Sequence, residues 1–413
     1  MADLDQPLRL HPLTYLEEGD EVTVGRADIN SFGLFPPDGA ALLRRLEAGS
    51  PPNEAARWYS AQYGEQVDMG EFLEVLDDLD LVLREGETPT AITVRWQRLA
   101  RALFSPAAWA GYAALTVAAL VAMIRHSYLL PTYNHLFFTR SSLLILTLGI
   151  VLGQLPLQLL HEAYHALAGR RLGLNSTLRI GHRFIYVVFE TSLDGLVAVP
   201  RRKRYLPMLA GMLTDVLALA ALTLAAAALH PANPSGSGAQ AVAYRFLLAT
   251  AFGVVLRLAW QFYFFLRTDL YYLASTVLGC NDLQATARQM MWNRLWRFLR
   301  RPARLADEAA WTPRDASAAR WYSWLMVAGY GWLLAIIALV LVPTAVRLTR
   351  QAVHDLVQAG SPLRAADVLL FLALNFWQPA VAGALALRGF TRRRGRPGAR
   401  GTTGRQSPEP SVE

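Results

Sequence analysis

Beyond residue 100 the apolar positions gather into long runs: Ala107–Ile124, Ser141–Ala168, Tyr205–Leu229, Ala241–Leu266, Tyr322–Val342 and Val368–Leu387. Each is close to or above the roughly 20 residues that a helix needs to cross the hydrocarbon core of a bilayer. The pattern predicts a multi-span α-helical membrane protein with about six transmembrane helices. Pro156 is expected to bend the second span, and Pro207, Gly211 and Asp215 interrupt the third. Residues 1–90 read differently, with short periods and frequent turn residues. Glu21–Arg26 predicts a strand and Phe32–Gly39 an extended piece with a turn. Ala40–Ala48 predicts a helix stopped by Gly49, and a second helix runs from Pro51 through Tyr63 to Gly64. Asp68 caps a third helix with Phe72, Leu73, Leu76 and Leu79 on its inner face. Leu81–Leu83 predicts a closing strand. The result is a small α/β soluble domain.

Between the second and third spans, Arg179–Glu190 is rich in strand formers. Asp194-Gly195 marks a turn and Leu196–Val199 a return strand, a β-hairpin near 178–199. The expected organisation is an acidic domain over 1–90, a four-span membrane core over 91–280, a basic interfacial segment over 281–320, two further spans over 321–388, and a disordered Arg/Gly/Pro/Ser-rich tail over 389–413. The Trp- and Arg-containing 281–320 segment predicts an amphipathic helix lying on the bilayer surface.

Composition sharpens this division. The net charge of +8 over 413 residues conceals an amino-terminal 90 residues with 6 Arg against 19 Asp and Glu, a net of −13. The remainder is correspondingly basic. Placing the amino terminus inside puts 26 Lys and Arg in the internal loops and 6 in the external ones. That bias predicts a multi-pass protein of the cell membrane with both termini cytoplasmic. With no secretory signal ahead of it, the acidic domain is expected in the cytosol. Positive internal loops account for the basic membrane part, so the lipid bilayer is the expected partner and no nucleic acid is expected. The single cysteine, Cys280, excludes an internal disulfide framework and a cysteine-based zinc cluster, which leaves any metal to His and carboxylate ligands.

The candidate chemistry lies at the end of the second span, in His161-Glu162-Ala163-Tyr164-His165. Histidines four residues apart share one helix face. Such a pair can hold one zinc ion with a carboxylate beside it. Ionisable groups at the end of an apolar span are costly without a functional reason. By the helical rise, His161 lies about 13 Å before Arg170 and Asp215 roughly 15 Å into the third span. Asp269 follows the fourth span, which runs in the same direction as the second. His161, His165, Asp215 and Asp269 are therefore predicted at one depth. Within the apolar runs before Cys280 and their immediate continuation, the acids are Glu162, Asp215 and Asp269.

The HExxH segment with Ala166-Leu-Ala-Gly-Arg-Arg-Leu-Gly173 resembles the site-2-protease-type intramembrane zinc metalloproteases, in the branch of peptide zinc metalloproteases. Leu209-Ala-Gly211-Met-Leu-Thr-Asp215 is similar to that family's Ala-Gly-Pro-x-x-Asn/Asp segment. Arg267-Thr-Asp269-Leu-Tyr-Tyr272, with Asn281-Asp-Leu283, is similar to the segment that supplies the third zinc ligand. The resemblance implies zinc on His161, His165 and Asp269, with Glu162 as the general base. Asp215 is the alternative ligand, or a group that orients a histidine. The sequence departs from the family at Leu270, where a Gly is usual, and lacks the upstream Asn-x-x-Pro. These departures bear on substrate positioning more than on metal binding. Residues 15–85 resemble the winged-helix-like PqqD-type domain that binds leader peptides. The similarity rests on Pro37-Asp38-Gly39, Leu46-Glu47-Ala48-Gly49, Phe72-x-x-x-Leu76 and Leu81-Val82. The implied function is a zinc endopeptidase cutting a peptide or membrane-protein substrate, in the maturation and export of a ribosomally made peptide. The alternatives are regulated intramembrane proteolysis of a membrane-anchored regulator and a non-catalytic peptide-binding accessory. These motifs do not encode an oligomeric state.

Overall fold

The computed structural model describes residues 4–19, 21–84, 86–88, 94–139, 142–183, 186–193, 195–280, 282–357 and 361–373. The chain divides into two compact units. Met1–Ala110, Glu162–Leu178 and Thr191–Gly211 form the first; Gly111–His161, Arg179–Glu190 and the chain from Met212 form the second.

In the first unit, strands β1 (Thr14–Glu18), β2 (Glu21–Arg26) and β3 (Ser31–Phe35) make an antiparallel sheet in the order β1-β2-β3. Val22 and Val24 alternate with Thr23, so both valines reach the core while Thr23 pairs with Leu16 and Leu34. Helix α1 (Pro37–Glu47) opens on a proline and carries Asp38 in its first turn and Arg44 and Arg45 in its last, which suits the helix dipole. Leu42, Leu43 and Leu46 of α1 are fully buried against the sheet. Helix α2 (Pro52–Tyr63) stops at Gly64, which adopts the left-handed conformation with φ +76°. Helix α3 (Met69–Asp78) starts at Asp68, whose side chain accepts the Glu71 N–H at 3.1 Å. Leu76 and Leu81 close the core.

Two differences from the sequence reading concern the sheet. Strand β1 is additional: in Thr14–Glu18 only Leu16 is buried, too little for a period of two to show. Leu81–Leu83 is not a strand, and Val82 makes a single bridge to Leu10.

Helix α4 (Gln97–Leu103) leads into α5 (Pro106–Arg125), followed by α6 (Leu143–Arg171), strands β4 (Ser176–Arg183) and β5 (Tyr186–Leu193), α7 (Arg201–Ala228) and α8 (Ala239–Trp260). Then come α9 (Asp269–Leu278), α10 (Leu283–Phe298), α11 (Pro313–Ile336), a π turn over Ile337–Leu341 and α12 (Val342–Val357). Residues 362–373 are also helical. Among the described residues, the helices long and apolar enough to cross a bilayer are α5, α6, α7, α8 and α11. This is compatible with a multi-span helical membrane protein. Most of the sixth expected span, Val368–Leu387, and the 389–413 tail lie outside the described residues, as does Asp194 of the expected turn.

Three elements differ from expectation in the second half. The fourth span ends at Trp260 rather than Leu266, and the chain breaks over 261–268 before α9 begins at Asp269. The hairpin is complete before Gly195, so Leu196–Ala198 is a 3-10 turn and not a return strand. Gly195 turns the chain there with φ +80°. The fifth expected span, α11, starts at Pro313, nine residues earlier than the apolar run, because the Thr312 hydroxyl caps it by accepting the Asp315 N–H. Helices α6 and α8 approach closely where side chains are missing. A Cβ on Gly153 would lie 2.7 Å from the Thr250 hydroxyl, and one on Gly253 would lie 2.1 Å from the Gln154 amide nitrogen.

Two outcomes test the packing of the first unit. Leu46→Ala should destabilise it by about 2–5 kcal/mol, read as faster hydrogen exchange of the β2 amides in the full-length protein. The Tyr59 hydroxyl donates to the Asp38 carboxylate and holds that carboxyl below its ordinary range. The contribution is therefore present above the unfolded carboxyl value of about 3.9 and lost as pH falls through the lowered one. Tyr59→Phe should cost more stability at pH 6 than at pH 3.

Candidate metal centre

Helix α6 carries His161, Glu162 and His165, which are 3%, 8% and 6% exposed. The two histidines are one turn apart on the same helix. One ligand atom from each and one carboxylate oxygen of Asp269 all lie within 4.8 Å of one another. The His161 Nε2 to Asp269 Oδ2 distance is 3.2 Å. Zinc–ligand distances of about 2.0–2.2 Å in a tetrahedral shell put neighbouring ligand atoms about 3.3–3.5 Å apart, so this edge fits a small divalent cation.

The second nitrogen of each ring decides the tautomer. His165 Nδ1 lies 2.6 Å from the Pro207 carbonyl oxygen. A carbonyl can only accept, so Nδ1 carries the proton and Nε2 carries the lone pair. His161 has a carboxylate at each nitrogen, Asp215 Oδ2 at 3.0 Å from Nδ1 and Asp269 Oδ2 at 3.2 Å from Nε2; with a cation held between Nε2 and Asp269, Nδ1 carries the proton and donates to Asp215. Both rings would then offer Nε2 to a metal held with Asp269.

Asp215 is fully buried on α7. Arg257 of α8 donates to it through Nε at 3.0 Å to both carboxylate oxygens, and through Nη2 at 2.5 Å to Oδ1. This pair neutralises a charge that would be expensive inside apolar helices. Gln154 of α6 extends the network: its Oε1 lies 3.4 Å from Arg257 Nη1, and its Nε2 donates to the Thr250 carbonyl at 2.8 Å. Asp215 thus stands behind His161 and is not among the three grouped ligands.

Asp269 is presented by the break between α8 and α9. Gln261, the first residue of the break, brackets it: the Gln261 side-chain amide donates to Asp269 Oδ2 and accepts the Asp269 N–H, both at 3.0 Å. The Thr268 hydroxyl donates to the Gln261 carbonyl at 2.7 Å and closes the loop. Leu270 is an ordinary residue in the first turn of α9, where no positive φ calls for glycine.

Glu162, next to His161 in the chain, meets the end of the hairpin. The Thr191 hydroxyl lies 2.8 Å from the Glu162 carbonyl oxygen and 3.0 Å from Glu162 Oε2. Sequence reasoning singled out His161, Glu162, His165, Asp215 and Asp269, and missed Arg257, Gln261 and Thr191 as supporting groups. Arg257 did carry a signal, since an arginine inside an apolar run requires a counter-charge and Asp215 is the buried acid of the preceding span. Gln261 and Thr191 carried none, because polar residues beside a span or in a strand are ordinary. No protein-family model matches the chain, and searches of curated proteins and of solved structures return no match.

Removing one member of the buried pair should be more damaging than removing both. Arg257→Gln leaves Asp215 uncompensated and should cost about 3–5 kcal/mol. The double variant Asp215→Asn/Arg257→Gln should recover most of that stability. Thermal unfolding in nanodiscs measures both, and equal losses in the two variants would contradict the pairing.

Proposed function

We propose that the chain is a membrane-embedded zinc metalloendopeptidase of the site-2-protease type. The observation that carries this reading is the grouping of Asp269 with His161 and His165, although 104 residues separate it from the nearer histidine. In this reading His161 Nε2, His165 Nε2 and Asp269 hold the zinc. A zinc ion bound there would act as a Lewis acid, lowering the pKa of water and polarising the scissile carbonyl. Glu162 takes the proton of the attacking water on a carboxylate oxygen and returns it to the leaving amine nitrogen. The Thr191 hydroxyl orients that carboxylate. Asp215 and Arg257 keep His161 in the metal-binding tautomer.

The amino-terminal unit fits a peptide-recognition role. Its three-stranded sheet has β1 and β3 as edges, either of which can take a peptide as an added strand. The PqqD-type resemblance points to a leader peptide as the occupant. The Lys and Arg distribution supports cytoplasmic termini, with the metal site near the cytoplasmic face of a cell membrane.

The test uses the full-length protein in nanodiscs and the peptides encoded beside its gene. Glu162→Gln should retain zinc at the wild-type level, while cleavage falls by about 10²–10⁴-fold. Cleavage at an unchanged rate in Glu162→Gln would overturn the assigned mechanism.

A further inference from the structure

The first unit holds a set of contacts that the peptide-recognition role does not require. Glu18, the last residue of β1, reaches the start of α7. Its Oε1 accepts the Arg201 backbone N–H at 2.8 Å, and its Oε2 accepts from Arg201 Nε at 3.1 Å and Arg204 Nη2 at 3.0 Å. Arg201 is the first residue of α7, so its N–H has no partner within that helix. A carboxylate from a distant strand therefore caps the positive end of α7. Arg204 also donates to the Val197 carbonyl at 2.8 Å, which ties the 3-10 turn into the same cluster. These are charge-assisted contacts on partly buried groups: the Glu18 and Arg204 side chains are 22% and 14% exposed.

A second contact lies at the exit of β5. Asn30, in the turn between β2 and β3, accepts the Gly195 N–H on Oδ1 at 2.7 Å. Asn30 sits at φ +56°, a conformation asparagine tolerates better than most residues. A Cβ on Gly195 would come 3.3 Å from the Ala27 Cβ and 3.4 Å from Leu174, so the two turns are in close contact there. Gly195 lies four residues after Thr191, whose hydroxyl holds Glu162. Arg201 lies six residues before Pro207, whose carbonyl holds His165 Nδ1.

We propose that the amino-terminal domain is a positioning element of the catalytic centre: Glu18 and Asn30 pin the two chain segments whose Thr191 and Pro207 orient Glu162 and His165. The domain then acts on the chemical step as well as on substrate capture. Glu18 and Asn30 are positioning residues that act through β5 and α7, and neither needs to touch substrate. This rests on the reading of Glu162 as the proton-transfer group, but its first test does not depend on cleavage.

That test is hydrogen exchange of the full-length protein in nanodiscs, comparing wild type with Glu18→Gln/Asn30→Ala. Exchange over residues 191–204 should rise at least tenfold while the β2 amides keep their wild-type rates. Unchanged exchange over 191–204 would overturn the proposal. If β2 exchange rises as well, the charge swap Glu18→Arg/Arg204→Glu decides. Protection of 191–204 restored above that of Glu18→Arg alone supports the clamp, and no restoration contradicts it. A second arm measures peptide cleavage by Glu18→Gln/Asn30→Ala. The clamp predicts a fall in kcat of tenfold or more with KM within twofold of wild type. A rise in KM with kcat unchanged would show a domain that only captures substrate. Loss of the cleavage assay's dependence on Glu162 would count against the protease reading and leave the exchange result standing on its own.

Discussion

A carboxylate with no exposure to solvent, set among apolar helices, must have a counter-charge, and Arg257 supplies it to Asp215. The polar interior follows from that pair. Arg257 faces Asp215 with three donor contacts, and Asp215 in turn holds His161 so that Nε2 points at Asp269. Gln154 holds Arg257 from α6, and the missing side chains at Gly153 and Gly253 allow α6 and α8 to come close enough for this. On the far side of His161, Asp269 is held by both ends of the Gln261 amide. That requires α8 to stop at Trp260, since a continuing helix could not bring Gln261 against the start of α9. The helix break is thus part of the same buried network.

Where charge or spacing carried the information, the sequence was readable. Histidines four apart on an apolar helix, an aspartate ahead of α3, and prolines and glycines at helix ends each have a local physical cause, and each of these elements stands close to where the pattern put it. The apolar runs located, for the same reason, the five helices that are long and apolar enough to cross a bilayer among the described residues. The errors fall where local pattern is silent. Gln261-Phe-Tyr-Phe-Phe-Leu266 is as apolar as the span before it, so hydropathy cannot reveal that the helix ends. Leu196–Val199 has the composition of a strand, yet Gly195 has already turned the chain away from its partner. Thr14–Glu18 has one inward side chain and reads as a loop until β2 is beside it.

Within the site, the ligand candidates were legible and their supports were not. Histidine and aspartate in a span are rare enough to attract notice. Thr191 and Gln261 matter only through the position of their neighbours, which no spacing rule encodes. Glu18 and Asn30 are further removed still. In the sequence they are an acid among many in an acidic domain and a turn asparagine, and only the tertiary contacts give them a connection to Glu162 and His165. The acidic character of the first 90 residues then has a use beyond solubility, since one of those acids caps the helix that holds a candidate metal ligand in place.

The central claim is that His161, His165 and Asp269 form a zinc site. Zinc-edge X-ray absorption of the full-length protein, purified without added chelator, tests it most directly. The account predicts near one zinc per chain, with nitrogen and oxygen neighbours at about 2.0–2.2 Å and the outer-shell scattering of two imidazoles. The outer-shell signal should drop to one imidazole in His165→Ala. Zinc-free protein, or a spectrum dominated by sulfur neighbours, would contradict it.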